Sequence, residues 1–290
     1  MKKVLTIAGS DSSGGAGIQA DLKTMEAHGV FGMSAITALT AQNTRGVNAI
    51  MNATGDFLKE QIKAVFEDIE PDAVKIGMLP NVDTIEATAE SLQKYHPKWI
   101  VLDPVLVATS GASLSERDAK SVLKAKLFPL ATVITPNMPE AEALSGREIH
   151  SKQDMEEIAK QLGDTYDCAV LLKGGHNHFA EMEGEAKRHG GEGESTSEEM
   201  SPDYLYIPTE KRGVWINGRR IENPNTHGTG CTLSSAIACN LALGYDLEKA
   251  VRRAKHYIEE CIAYGLNLGF GRGPLQHAVH MDETVWEDDI

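Results

Sequence analysis

Short apolar runs closed by glycine, aspartate or proline alternate with segments of helical periodicity along most of this chain, and few folds accept that pattern. Residues 4–8 are apolar and end at Gly9, and Ile18, Leu22 and Met25 then fall at helical spacing. Residues 31–39 read as a second strand. Asp56 is placed to cap a helix that carries Ile62, Val65, Phe66 and Ile69 on one face. The runs 73–76, 99–102, 132–135 and 169–173 read as further strands. Asn81, Ser115 with Asp118, and Ser151-x-x-Asp154 open the helices between and after them, and Pro139 sits in the first turn of a short one. Strands separated by helices of this length build βαβ units, so the class is α/β with a mostly parallel, doubly wound sheet.

Ligands of such sheets bind beyond the carboxyl ends of the strands. Those ends carry Gly9-Ser10-Asp11, Gly77-Met78, Asp103, Thr135-Pro136-Asn137 and Lys173-Gly174-Gly175, so the fold gathers the chemically interesting residues at one edge. Residues 179–203 break the pattern. They are acidic, glycine-rich and poor in large apolar residues, and read as a mobile surface insertion. After them, 204–207, 214–216 and 219–222 read as short strands, the last two joined by an Asn217-Gly218 turn. Two helices, 232–243 and 247 to about 266, close the chain. Nothing marks a linker, so residues 1–290 are expected to form a single domain.

Composition narrows the partners. The formal charge of −14 opposes binding to nucleic acid, whose phosphates it would repel. It leaves a nucleotide site open, because helix dipoles and a metal ion can make a small site locally positive. The four cysteines, Cys168, Cys231, Cys239 and Cys261, form no C-x-x-C pair, which fits a reduced, cytoplasmic setting. No stretch approaches the roughly 20 apolar residues of a membrane helix.

Three motifs carry chemistry. The first is Asn225-Thr226-His227-Gly228-Thr229-Gly230-Cys231-Thr232, which leads into an apolar helix. Glycines just before a helix let backbone N–H groups converge on an anion, with the helix dipole behind them. It is not a Walker A loop, since no Gly-Lys pair occurs in the chain. Cys231, in the first helical turn, is placed where a dipole favours thiolate. The second motif is Gly9-Ser10-Asp11-Ser12-Ser13-Gly14-Gly15-Ala16-Gly17. It mimics a dinucleotide fingerprint, but no acid lies between Glu26 and Asp56 to bind a ribose. Its glycines instead allow the backbone to close over a small flat substrate, with Asp21 placed to accept from a substrate hydroxyl. The third is Asp103 with Asn137-x-x-Glu140, hard oxygen donors that suit Mg²⁺ bridging to substrate phosphates.

Together these stretches resemble the ribokinase-like superfamily, and most closely its hydroxymethylpyrimidine/phosphomethylpyrimidine kinase branch. Further matching stretches are Ala38-Leu39-Thr40-Ala41-Gln42-Asn43-Thr44, Lys75-Ile76-Gly77-Met78-Leu79, Val101-Leu102-Asp103-Pro104-Val105, Thr135-Pro136-Asn137-Met138-Pro139-Glu140 and Leu172-Lys173-Gly174-Gly175-His176. The resemblance implies a three-layer α/β/α ribokinase-like fold, a homodimer, and transfer of the ATP γ-phosphoryl to the hydroxymethyl group of a small pyrimidine and then to its monophosphate. It implies Cys231 as catalytic base and Gly228, Thr229 and Gly230 as anion hole. Gly9, Asp21, Gln42, Met78 and Val105 would bind the ring. Asn137, Lys173, Thr226, Gly228 and the neighbourhood of Thr209 would face the nucleotide, and Asp103 and Glu140 would hold Mg²⁺.

Two alternatives stand beside this reading. A pyridoxal kinase would keep the chemistry and change the ring pocket; Gln42 favours the pyrimidine, because an amide both donates and accepts at an aminopyrimidine edge. A silent pyrimidine-binding sensor would keep Asp21 and Gln42 but lose the base or cradle, and here Cys231, Asp103 and Glu140 are present.

Overall fold

The computed structural model describes residues 1–105, 116–175 and 201–279. Its elements run β1 (Lys3–Ala8), α1 (Gly17–Ala27), β2 (Phe31–Ile36), β3 (Ala38–Asn43), β4 (Gly46–Asn52), α2 (Gly55–Phe66), β5 (Ala73–Ile76), α3 (Val82–Tyr95), β6 (Ile100–Leu102), α4 (Glu116–Lys126), β7 (Val133–Ile134), α5 (Met138–Ser145), α6 (Lys152–Tyr166), β8 (Ala169–Leu172), β9 (Asp203–Ile207), β10 (Arg212–Ile216), α7 (Thr229–Leu243) and α8 (Leu247–Ala263).

The main sheet has the order β10-β9-β8-β7-β6-β5-β1-β2. From β2 to β8 every pairing is parallel; β9 and β10 close the edge antiparallel. Successive strand residues face opposite ways, and both faces are covered. Leu5, Ile7, Val74, Ile76, Ile100 and Leu102 join the core beneath α2, α3 and α6. Val4, Ala73, Val101, Val133 and Leu171 join the core beneath α7 and α8. That double burial is why the strands read as continuous apolar runs. α7 is buried from Thr232 to Ala242, because it lies between the sheet and α8. Three layers result, as expected.

Asn81 caps α3, Ser151 caps α6, and Pro139 lies in the first turn of α5, all as the sequence predicts. Three details differ. Thr54, not Asp56, caps α2, its side chain accepting from the Phe57 N–H. The run 31–39 divides: β2 ends at Ile36, and β3 leaves the main sheet to pair with β4 in a two-stranded flap. Residues 219–222 form no strand; the hairpin lies earlier, with β9 paired to β10 and the turn at 208–211. The predicted insertion 179–203 falls outside the described residues except at its end, where buried Asp203 already belongs to β9. Ser115, proposed to open α4, also lies outside them. No helix among the described residues is long and apolar enough to cross a membrane.

Candidate active site

Beyond the carboxyl ends of β1, β5 and β6 lies a cavity of about 660 Å³, roofed by the β3–β4 flap and closed at one side by the first turn of α7. Gly9, Gln42, Met78, Val105, Asp103 and Cys231 all line it, so the structure brings these predicted site residues together. A Cβ at Gly9 would stand 2.5 Å from the Met78 methyl, so a side chain there would displace the end of Met78. The Met78 carbonyl is itself fixed by the Thr37 hydroxyl at 2.7 Å. Gln42 Oε1 accepts from the Thr40 hydroxyl at 3.2 Å, and its Nε2 lies 3.3 Å from His227 Nε2, so the amide is held in place at the cavity wall.

The α7 N-terminus holds the glycines expected to form the anion cradle. Gly228 caps the helix with φ 88°, a left-handed geometry that favours glycine, and a Cβ there would run into the Gly15 carbonyl oxygen. The Thr229 hydroxyl turns back to the Thr226 carbonyl at 2.8 Å, so it acts in the turn. A Cβ on Gly230 would lie 3.1 Å from Asp103 Oδ2 and 3.5 Å from Lys173 Nζ. A cation and a carboxylate therefore flank the first turn. Lys173 donates to Asp103 Oδ1 at 2.9 Å, and the Thr135 hydroxyl donates to the same oxygen at 3.0 Å. Burial works to discharge Lys173, but Asp103, Glu140 and Asp203 outweigh it and hold the ammonium charged.

Four expectations need correction. Asp21 does not line the cavity. It is fully buried beneath it, its Oδ1 accepting from Lys75 and Ser235 and its Oδ2 from Lys75 and Thr6, so its oxygens serve the interior rather than a substrate hydroxyl. Asn137 and Glu140 form a reciprocal capping box on α5: Asn137 N donates to Glu140 Oε2 at 2.9 Å and Glu140 N to Asn137 Oδ1 at 2.8 Å. Neither lines the cavity, so of the two expected metal ligands only Asp103 does. Thr209 lines a different hollow of about 910 Å³, at the amino ends of β6, β7 and β8. Cys231 is not a ready thiolate: burial pushes its thiol up, and Lys75 and the Gly17 N–H offset this only in part. Thr226 is exposed, in the turn before the cradle.

No role for Asp11, His227 or Lys75 follows from the motifs. Asp11 Oδ2 accepts from His227 Nε2 at 2.7 Å, and both residues line the cavity. Lys75 faces α7 among Ala73 and Val101, with no exposed surface. A lysine inside a strand covered on both faces signals a buried partner, and that signal was available.

Comparison with known proteins decides the family. The model of the phosphomethylpyrimidine kinase family matches residues 11–276. The chain belongs to that family. It is 46% identical over 281 residues to the thiamine biosynthesis bifunctional protein ThiED of Geobacter sulfurreducens, covering 97% of this chain but 53% of that protein, so it spans about half of that relative. It is 44% identical to the hydroxymethylpyrimidine/phosphomethylpyrimidine kinase of Haemophilus influenzae, over 96% of this chain and 97% of the relative. Among solved structures, an ADP complex of Bacillus subtilis pyridoxal kinase is 35% identical, covers 96% of this chain and 98% of its own, and superposes with a TM-score of 0.79. Kinases of this family share the ribokinase-like fold expected from the sequence, and phosphomethylpyrimidine kinase family members act as phosphotransferases on ATP and small acceptors.

Proposed function

We propose that this family member transfers the γ-phosphoryl of ATP to 4-amino-5-hydroxymethyl-2-methylpyrimidine and then to its monophosphate, within thiamine biosynthesis. One observation carries the reading: the Gln42 amide and the Cys231 thiol line the same cavity, beside a helix N-terminus flanked by Lys173. The amide would recognise an aminopyrimidine edge, donating and accepting at once. Cys231 would take the hydroxymethyl proton as the oxygen attacks. The backbone N–H groups at 228–230 and the Lys173 ammonium would neutralise charge on the moving phosphoryl group. Asp103, a hard oxygen donor lining the cavity, would hold Mg²⁺, which would supply positive charge against the phosphates. Asn137 and Glu140 would act indirectly, by fixing the start of α5 beside Lys173. The reduced thiol this requires fits a cytoplasmic setting.

Pyridoxal is the rival acceptor, favoured by the likeness to pyridoxal kinase. ATP consumption with the pyrimidine, its monophosphate and pyridoxal separates the two. Turnover of both pyrimidines with pyridoxal far behind supports the proposal. A preference for pyridoxal would move the same site to vitamin B6 salvage.

A further inference from the structure

Two loops from opposite ends of the chain meet on one carboxylate. Asp11, at the end of β1, is 2% exposed. Its Oδ1 accepts from the Ser13 N–H at 2.8 Å and the Ser13 hydroxyl at 2.7 Å. Its Oδ2 accepts from the Gly15 N–H at 3.2 Å, the Ala16 N–H at 2.9 Å and His227 Nε2 at 2.7 Å. Asp11 thus folds the glycine loop 12–16 around itself and ties it to His227, the residue just before the cradle.

The two loops also interlock sterically. A Cβ on Gly228 would run into the Gly15 carbonyl oxygen, and a Cβ on Gly15 would stand 2.6 Å from His227 Cδ2. The glycine loop continues to the acceptor side, where the Ser12 hydroxyl donates to the Gln42 carbonyl at 2.7 Å and accepts from the Gln42 N–H at 2.8 Å. Gln42 is therefore linked through Ser12, Asp11 and His227 to Gly228. Burial would raise the Asp11 carboxyl, but His227 and Ser13 outweigh it and hold the group far below the usual carboxylate range, so the bond to His227 is charge-assisted.

We propose that the Asp11–His227 bond is a positioning device that couples the acceptor pocket to the anion cradle, so that acceptor and nucleotide each tighten the binding of the other. This rests on the reading above, that the acceptor sits against Gln42 and the triphosphate on residues 228–230. Neither residue need touch the reacting atoms. The bond fixes where the cradle stands relative to the ring, so a loop ordered by one ligand is already ordered for the second. The coupling is reciprocal by necessity.

Titration calorimetry with hydroxymethylpyrimidine and a non-hydrolysable ATP analogue, each alone and in the presence of the other, tests this. In the unmodified protein each ligand should improve the other's affinity by about fivefold or more. His227→Leu keeps the loop bonds to Asp11 while removing the bridge and the 3.3 Å contact of His227 with Gln42 Nε2; it should bring the enhancement to within about twofold of none, whatever happens to the binary affinities. His227→Gln, which keeps a donor, should recover part of it. Asp11→Asn is the second variant and carries the test if His227→Leu does not fold. Undiminished mutual enhancement in a folded His227→Leu or Asp11→Asn protein overturns the coupling role while leaving the site intact. Failure of the unmodified protein to bind either ligand overturns the reading of the site, and the coupling with it.

Discussion

Lys75→Met should cost about 3–5 kcal/mol of folding stability, because it strands a carboxylate in the interior. Lys75 and Asp21 both have side chains with no solvent exposure. The ammonium donates to both Asp21 oxygens at 2.9 Å. Burial acts to discharge Lys75, but Asp21, Cys231 and Asp103 outweigh it and hold its pKa above that of a free lysine. Methionine nearly preserves the side-chain volume, so the cavity contribution is small and the loss is electrostatic. What remains for Asp21 is the Thr6 hydroxyl at 2.6 Å and the Ser235 hydroxyl at 2.7 Å, two neutral donors for a buried charge. Against a total stability of about 5–15 kcal/mol, the variant is marginal. The double variant Lys75→Met with Asp21→Asn removes the stranded charge and should recover at least about 2 kcal/mol of the loss. Urea denaturation with matched slopes measures both. A Lys75→Met protein that loses less than about 1 kcal/mol would refute the reasoning, since a buried, unpaired carboxylate cannot be that cheap.

The pH dependence of two other groups carries further predictions. Burial is the largest influence on Cys231 and raises its thiol pKa, so the thiolate gains population as pH rises; kcat/KM should climb from neutral pH toward the alkaline side, and a flat profile would oppose a thiol base. His277 is 4% exposed, and burial and the nearby Lys23 depress its pKa to about 4. With an unfolded value near 6.5, the unfolded chain binds the extra proton first, so this stability is present above about pH 6.5 and lost as pH falls toward the folded value. Acidifying from pH 7 to 5 should cost about 2 kcal/mol through His277, and His277→Gln should lack that component; equal losses in both proteins would contradict it.

The fold was legible because both sheet faces are covered. Runs such as 4–8, 73–76 and 169–173 are mostly apolar for that reason, with Thr6 and Lys75 as buried polar exceptions, and the residues that stop them mark the ligand edge. The β3–β4 flap was not legible. Its strands pair only with each other, and β4 is largely exposed, so residues 46–52 carry neither a full apolar run nor a buried face. Of the cavity-lining residues, Gly9, Asp103 and Cys231 follow from a glycine loop, a strand end and a helix start, whereas Gln42, Val105 and the ring-pocket place of Met78 come only from the family resemblance. Asp21 and Glu140 show where motif reading stops. A carboxylate near a site can face the substrate or hold the scaffold, and only the partners decide. Asp21 answers Lys75, and Glu140 answers the Asn137 N–H. The bond between Asp11 and His227 joins residues 216 positions apart, a distance across which local patterns say nothing.

The central claim is that Cys231 is the base of phosphoryl transfer in the cavity at the strand ends. Cys231→Ala tests it most directly, with turnover of hydroxymethylpyrimidine and ATP measured beside the affinity for the pyrimidine. The account predicts turnover lowered by about 10²–10⁴-fold, with affinity changed by no more than a few fold, because a base acts in the transition state. Near-full turnover in Cys231→Ala would contradict it and leave positioning by the cradle and Lys173 to account for the rate.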